Sequence, residues 1–333
     1  MPRMLIFGMG YTASRLAQRM RAGGWEVIGT RREAQDGALA FDDAPSVLAA
    51  IESATHILSS VPPARDDSEP VIDLYSEAIA STSLRWCGYL SATGVYGDVD
   101  GAWVDESAPI GSGRRKARSD ADQNWQNLRG DIHVFRLPGI YGPGRSPLTR
   151  VRSGKARRVD MPGQVFSRIH VDDIVSAVIA SFEGQAGAYN ISDDMPAPQH
   201  QVIAHAARLL GMEVPPLLSL EDANLSKAAL GFYEENRRVA NGKAKRLLNW
   251  EPRYPDYKSG SLRLARPQRH QQSEHRQYRA ASRQPGPDII LEYRRQYHRH
   301  HRHQYAGIGR LARSDFADHR EIEREGHHRT DDA

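Results

Sequence analysis

The sequence predicts an α/β fold: a doubly wound parallel sheet, a small discontinuous lobe beside it and a disordered C-terminal tail. Three observations carry this reading. Short apolar runs alternate with longer segments of helical spacing, a glycine-rich turn separates the first run from the first helix, and the composition changes abruptly after Lys258. The runs Met4–Phe7, Glu26–Thr30, His56–Val61, Gly88–Ser91 and His133–Leu137 are each four to six residues long and read as buried strands. Between them Thr12–Ala22, Pro45–Ser53, Val71–Thr82 and Ser119–Arg129 carry apolar residues at helical intervals. The first helix closes at Gly23-Gly24, a left-handed stop. A later helix starts at Val171-Asp172-Asp173 and runs to about Glu183, with Asp172 near its cap and aspartates where the helix dipole favours negative charge. After Ile140 the pattern loosens. Tyr141 to Pro147 reads as a loop, and Gln199–Leu210 and Asn241–Asn249 read as helices. Residues 1–140 with 165–190 therefore form the sheet domain, 141–164 with 191–258 the lobe, and 259–333 the tail.

Charge divides along the same line. The tail has fifteen Arg, no Lys and ten acidic residues, a balance of +5, which leaves −1 for residues 1–258. The basic character thus belongs to the tail, and a basic nucleic-acid-binding body is excluded. Nine of the fourteen His also lie there, in tracts such as His298–Gln304. These tracts could hold metal or, when protonated, RNA, but such a composition buries too little apolar surface to offset the entropy of ordering. A change of reading frame at Lys258 would give the same shift. The single cysteine, Cys87, excludes a disulfide framework or a multi-thiolate zinc site and reads as core, and no metal site is expected. No apolar run is long enough for a membrane span or a signal peptide, so a cytoplasmic protein is expected.

Gly8-Met9-Gly10-Tyr11-Thr12-Ala13 lies between the first strand and the first helix. A dinucleotide site needs a glycine for the tight turn, a second that lets the backbone approach the diphosphate, and a small residue where helix meets strand, here Ala13. The diphosphate then faces the unpaired N–H groups of the helix. At the end of the second strand, Thr30-Arg31-Arg32, a site for NAD usually carries Asp or Glu to hold the ribose hydroxyls. Two guanidiniums suit a 2′-phosphate instead and point to NADP over NAD, with Glu33 the one residue of opposite sense.

Further strings extend the pattern: Tyr89-Leu90-Ser91-Ala92-Thr93-Gly94-Val95-Tyr96-Gly97-Asp98, Arg136-Leu137-Pro138-Gly139-Ile140-Tyr141-Gly142-Pro143-Gly144, Arg168-Ile169-His170-Val171-Asp172-Asp173 and Tyr189-Asn190-Ile191. In this order and spacing, residues 1–257 resemble the short-chain dehydrogenase/reductase superfamily, on its extended and atypical branches (NAD-dependent epimerase/dehydratase-like). The resemblance implies a Rossmann domain, a nicotinamide cofactor and a lobe holding a small-molecule substrate, commonly a nucleotide sugar. It places Asp42 against adenine and Ser59, Ser60, Val61 and Pro138 along the cofactor. It allows a homodimer.

The departures from that family fall at its chemical centre. The family's active-site Ser or Thr falls on Ala92, with hydroxyls on either side at Ser91 and Thr93. Its Tyr–Lys pair falls on Arg114 and Arg118. Arginine keeps its proton, so Arg118 could hold a ribose or phosphate but Arg114 cannot act as the tyrosine does. Thr93, Ser91 and Arg118 are the candidate catalytic residues. Gly142 to Arg145 could cradle a substrate phosphate or be a plain turn, and Arg237-Arg238 could clamp an anionic substrate or be a solvated face. Two functions remain open: an oxidoreductase with an atypical site, or a non-catalytic NADP-binding sensor.

Overall fold

The computed structural model describes residues 1–266, all within one compact unit, Met1–Ala281. A second unit, Ser282–Ala333, and the predicted Arg/His-rich tail from residue 267 onward lie outside the described residues. The elements β1 (Arg3–Phe7), α1 (Tyr11–Ala22), β2 (Glu26–Arg31), β3 (Leu39–Ala40), α2 (Ala44–Ser53), β4 (His56–Ser59), α3 (Pro70–Ser81), β5 (Trp86–Ala92) and α4 (Lys116–Leu128) follow in turn. Two further strands, Ile132–Leu137 and Gly187–Asn190, complete a seven-stranded parallel sheet. Its order is Gly187–Asn190, Ile132–Leu137, β5, β4, β1, β2, β3. The chain winds outward from β1 in one direction, then returns to lay β4 on its other side. That reversal is the switch point at which doubly wound folds open a crevice at the carboxyl ends of the strands.

Alternation along the strands feeds two cores. Met4 and Ile6 pack with Leu16, Phe135 and Ile174 on the face covered by α1 and the helix Val171–Ala180. Leu5 and Phe7 pack with Val47, Val71 and Trp125 on the face covered by α2, α3 and α4. Cys87 is wholly buried in that second core. α1 ends at Gly23, and Gly24 has φ of +82°, the left-handed stop its sequence announces.

His170 caps the helix Val171–Ala180, its Nδ1 accepting the Asp172 N–H at 3.2 Å, and Asp172 lies near that cap in the first turn, as expected. Asp172 also pairs with Arg15 at 2.7 Å, fastening α1 to that helix. The expected boundary at Lys258 is corrected, because the helix Tyr257–Ala265 crosses it. Tyr257, Gly260 and Ser261 are buried, and Leu264 packs with Leu148, Val151, Ile203 and Ala207 of the lobe. The helix Gly242–Leu247 leans the other way, since Ala244, Leu248 and Trp250 enter the core of the sheet. No helix among the described residues is long and apolar enough to cross a membrane.

Candidate cofactor cleft and active site

The turn from β1 to α1 lies at the switch point. Gly8 has φ of +81°, and a Cβ there would come within 2.9 Å of Val61 Cγ2, so both conformation and packing demand glycine. Its N–H donates to Thr30 Oγ1, while Ser60 Oγ donates to its carbonyl at 2.8 Å. Ser60 and Val61 thus back the turn. Gly10, the cap of α1, differs: its φ is −83°, and a Cβ there would meet no protein atom within 4 Å. Neither strain nor packing demands a glycine there, and its open side leaves the backbone accessible at the helix start. No side chain caps α1 and no acid occupies its first turn, so its N–H groups stay available to an anion. Ala13 is fully buried against the sheet, and Thr12 is half-buried beside it.

At the end of β2, Thr30 is buried, Arg32 is exposed, and Arg31 has a buried Nε with no hydrogen-bond partner among the described residues. Asp42 is exposed just past β3, the strand hydrogen-bonded beside Thr30 and Arg31. Ser59 is wholly buried at the end of β4, and its hydroxyl also lacks a partner. These residues converge on the same end of the sheet as Gly8 and Gly10. Across the opening, Tyr11 donates from its hydroxyl to Pro143 O at 3.0 Å, and the Arg145 guanidinium lies 5.8 Å from its ring centroid. The Gly142–Arg145 turn therefore sits against the first residue of α1. Half-buried Pro138 leads into it through the strand Gly139–Tyr141.

The edge formed by β5 and α4 is built otherwise. Ser91 is buried and donates to Asp122 Oδ2 at 2.6 Å. Asp122, fully buried, also accepts two bonds from Arg136, at 2.9 and 3.1 Å. Arg136 continues to Tyr96 Oη at 3.0 Å, and Tyr96 donates to Asn190 Oδ1 at 2.7 Å. The Ser91 hydroxyl is thus committed to an interior network joining β5, α4 and two neighbouring strands. Thr93 opens the single turn Thr93–Tyr96, is 5% exposed, and its hydroxyl has no hydrogen bond among the described residues. Arg118, in the first turn of α4, is half-buried beside the Tyr89 phenol; burial lowers its pKa and the phenol partly offsets this. Arg114 precedes α4 and faces the lobe: its guanidinium stacks 5.2 Å from the Phe232 ring centroid, and its N–H donates to Glu235 Oε1 at 2.7 Å.

A strap of the lobe, residues 231–238, crosses this edge, and the sequence had marked only its two arginines. Glu235 accepts from Arg237 at 3.0 Å, and Arg237 also donates to Gly97 O at 2.6 Å. The Arg237 Nη2 lies 4.0 Å from where a Cβ of Gly94 would stand, one residue from Thr93. Asn236 takes the N–H groups of Val99 and Gly101 on its carbonyl. Arg237 therefore brings a cation beside the Thr93 turn, while Arg238 pairs with the strand Trp103–Val104. Little that is local in the sequence announces Glu235 or Asn236: apart from the Glu235–Arg237 pair, their partners lie 71 to 138 residues away. Among the described residues no cluster of His, Cys, Asp and Glu could hold a metal ion.

Comparison with known proteins supplies the lineage. A functionally unknown conserved protein from Silicibacter pomeroyi is 40% identical, over 79% of this chain and 98% of its own, with a TM-score of 0.71. The fold is shared with UDP-glucose 4-epimerase of Thermotoga maritima (17% identity, 81% and 99% of the two chains, TM-score 0.67). It is also shared with a human epimerase family protein solved with NADPH (18%, 79% and 99%, 0.65). The Silicibacter protein is thus a relative along nearly its whole length, and the neighbours named as epimerases share the fold of this chain. No family model matches it. Among curated proteins, a Streptomyces 3-diazoavenalumate denitrifying reductase is 34% identical over 139 residues, which are 38% of this chain and 45% of that protein's length. The chain keeps the glycine turn between β1 and α1 and the doubly wound strand order of this fold.

Proposed function

We propose that the chain is an NADP-dependent oxidoreductase of the epimerase/dehydratase or reductase type, cytoplasmic, acting on a small-molecule substrate such as a nucleotide sugar. The observation that carries the cofactor choice is Arg31, whose buried Nε has no partner at the end of β2, with Arg32 exposed beside it and no carboxylate at either position. A 2′-phosphate would satisfy that donor and meet both guanidiniums. Gly8, Gly10, Tyr11, Thr12 and Ala13 would hold the diphosphate, Asp42 the adenine side, and Ser59 and Pro138 the path towards the nicotinamide. When bound, the nicotinamide gives or accepts a hydride at its C4.

Towards the substrate, Thr93 would donate from its free hydroxyl to the reacting oxygen. Arg237 would stabilise negative charge developing there, in the manner of an oxyanion hole. Arg118, kept short of counter-charge, would hold a ribose or phosphate oxygen. The NADPH bound by the human structural neighbour and the reductase activity of the Streptomyces relative support this reading. The nucleotide sugar follows the UDP-glucose of the Thermotoga protein.

The sensor reading is favoured by one observation: the Arg114 guanidinium is stacked on Phe232, and on the resemblance this arginine stands where the family carries its protonatable phenol. General acid–base assistance is commonly worth about 10²–10⁴-fold, so an enzyme lacking it is slow. Titration with NADPH and NADH, followed by nicotinamide fluorescence, tests the cofactor choice. NADPH should bind about ten- to a hundredfold more tightly, from roughly 1.5–3 kcal/mol of charge-assisted bonding, and Arg31→Ala should erase the difference. Equal affinities in the unaltered protein refute NADP selection. NADPH turnover against nucleotide sugars and aldehydes separates enzyme from sensor.

A further inference from the structure

A cavity of about 460 Å³ lies in the lobe, between the strand Arg158–Val159, the helix Gln199–Leu209 and the start of the helix Tyr257–Ala265. It shares no residue with the cofactor turn or the Thr93 edge. Arg158, Arg208 and Lys258 line it, with the imidazoles of His200 and His205 and the amide of Gln201. No Asp or Glu does. Like charges gathered in a concavity repel one another and weaken the fold unless something opposes them. The Arg158 guanidinium is held in place by the carbonyls of His200 (3.3 Å) and Pro215 (2.8 Å). His205 stands edge-on to Tyr257, 5.6 Å between ring centroids, with its Nε2 buried and without a hydrogen-bond partner among the described residues. Arg208 and Lys258 are exposed and make no ion pair among the described residues.

We infer that this cavity is a second anion site, taking a multivalent phosphate such as pyrophosphate or the phosphate chain of a nucleotide. A fixed guanidinium fork, the exposed ammonium of Lys258 and the unpaired ring nitrogen of His205 match a phosphate group, which offers acceptor oxygens and multiple negative charge together. The volume falls within the usual range of small-molecule pockets. The residues that hold it belong to the lobe, so occupancy does not compete with a dinucleotide at Gly8 and Gly10.

Calorimetric titration of the full chain with pyrophosphate, alone and with saturating NADPH, tests this. Binding should persist with NADPH present, weaken about tenfold or more in Arg208→Glu/Lys258→Glu, and stay unchanged in Arg31→Ala. Both reversed charges are exposed, and an unaltered Tm confirms that the variant folds. Displacement of pyrophosphate by NADPH would assign the binding to the cofactor turn and overturn the inference. So would equal affinity in the charge-reversed protein, or no binding at millimolar pyrophosphate. Should NADPH itself not bind, the cofactor reading fails, while the comparison with the charge-reversed protein still decides this one.

Discussion

Two edges of one sheet mouth have been treated differently in this chain. At the β1–α1–β2 edge every physical requirement of a dinucleotide site is present: a strained turn only glycine can make, an open glycine, an uncapped helix start and a buried small residue. At the β5–α4 edge the resemblance sets Ala92 where the hydroxyl on the reacting oxygen is expected, Arg114 where the phenol is expected and Arg118 where the ammonium is expected. The interior behind that second edge is nevertheless intact, because Ser91, Asp122, Arg136, Tyr96 and Asn190 bond to one another with little exposure. Binding of a cofactor and movement of a proton are separate properties of the fold. One rests on backbone shape, the other on a few side chains that can be exchanged without disturbing the scaffold.

The largest expected effect tests whether the network behind the β5–α4 edge is scaffold. Removing one partner of a buried ion pair leaves the other charge unpaired, at a cost of about 3–5 kcal/mol. Asp122→Ala should therefore lower Tm by roughly 10 °C or more, given about 2–4 °C per kcal/mol for a body of this size. Scanning calorimetry reads this directly. A Tm within a few degrees of the unaltered protein would mean that Asp122 is not held by the fold and is free for chemistry.

Truncation comes next in size and concerns the third boundary of the cleft. A chain ending at Lys258 loses the helix Tyr257–Ala265, whose buried Gly260 lies against Tyr141 at the base of the Gly142–Arg145 turn. One ending at Arg266 keeps it. The longer form should match the full chain in Tm and NADPH affinity, and the shorter should melt several degrees lower. Identical melting of the two truncations would show that the helix contributes nothing to the lobe.

These cases show what was readable in the sequence. Strand positions along the sheet came through because a period of two, or a short apolar run, is a local property. The glycine turn was readable for the same reason. The start of the tail was misplaced because Ser259–Arg266 is polar by composition, while its burial depends on Leu148 and Ile203, more than fifty residues away. The strap 231–238 was invisible beyond its two arginines: Glu235 and Asn236 act through backbone groups at Val99, Gly101 and Arg114 that no spacing rule predicts. Ser91 was read as a candidate for the reacting oxygen because its position in the motif is local, and its commitment to Asp122 is not.

A third expected effect is electrostatic and concerns the anchor of α1. His170 is 1% exposed, and burial pushes its pKa down to about 4, although Asp172 opposes the shift. An imidazole in the unfolded chain titrates near 6.5. The fold therefore holds His170 neutral, and the stability it contributes is complete above pH 6.5 and lost as pH falls towards 4. The shift corresponds to about 3 kcal/mol over that window. His170→Asn keeps a cap acceptor for the Asp172 N–H and removes the titration. The urea midpoint should fall less between pH 7 and 4.5 in the variant than in the unaltered protein, although not to zero, because His56, also pushed to about 4 by burial, remains in both. An equal acid loss in both would show that His170 is not the group responsible.

The smallest effect on stability is the most informative about the binding edge, because it separates two glycines that look alike in sequence. Gly8→Ala forces a side chain into a left-handed backbone and against Val61, at a cost of about 1–2 kcal/mol before any clash is relieved. Gly10→Ala meets neither obstacle. A methyl there trades about 0.5–1 kcal/mol at the helix cap, where glycine is preferred to alanine, against a stiffer unfolded chain worth a similar amount, so Tm should hold to within about 2 °C. Its effect should appear in binding instead, since the added Cβ stands where the diphosphate must approach the backbone. Fluorescence titration should find NADPH weakened about tenfold or more by Gly10→Ala in a protein that melts normally. A normal affinity would mean that Gly10 is only a turn residue, and the case for a dinucleotide at this edge would lose its clearest support. A large drop in Tm would instead show that Gly10 packs against something in the fold, and its openness would no longer speak for a ligand.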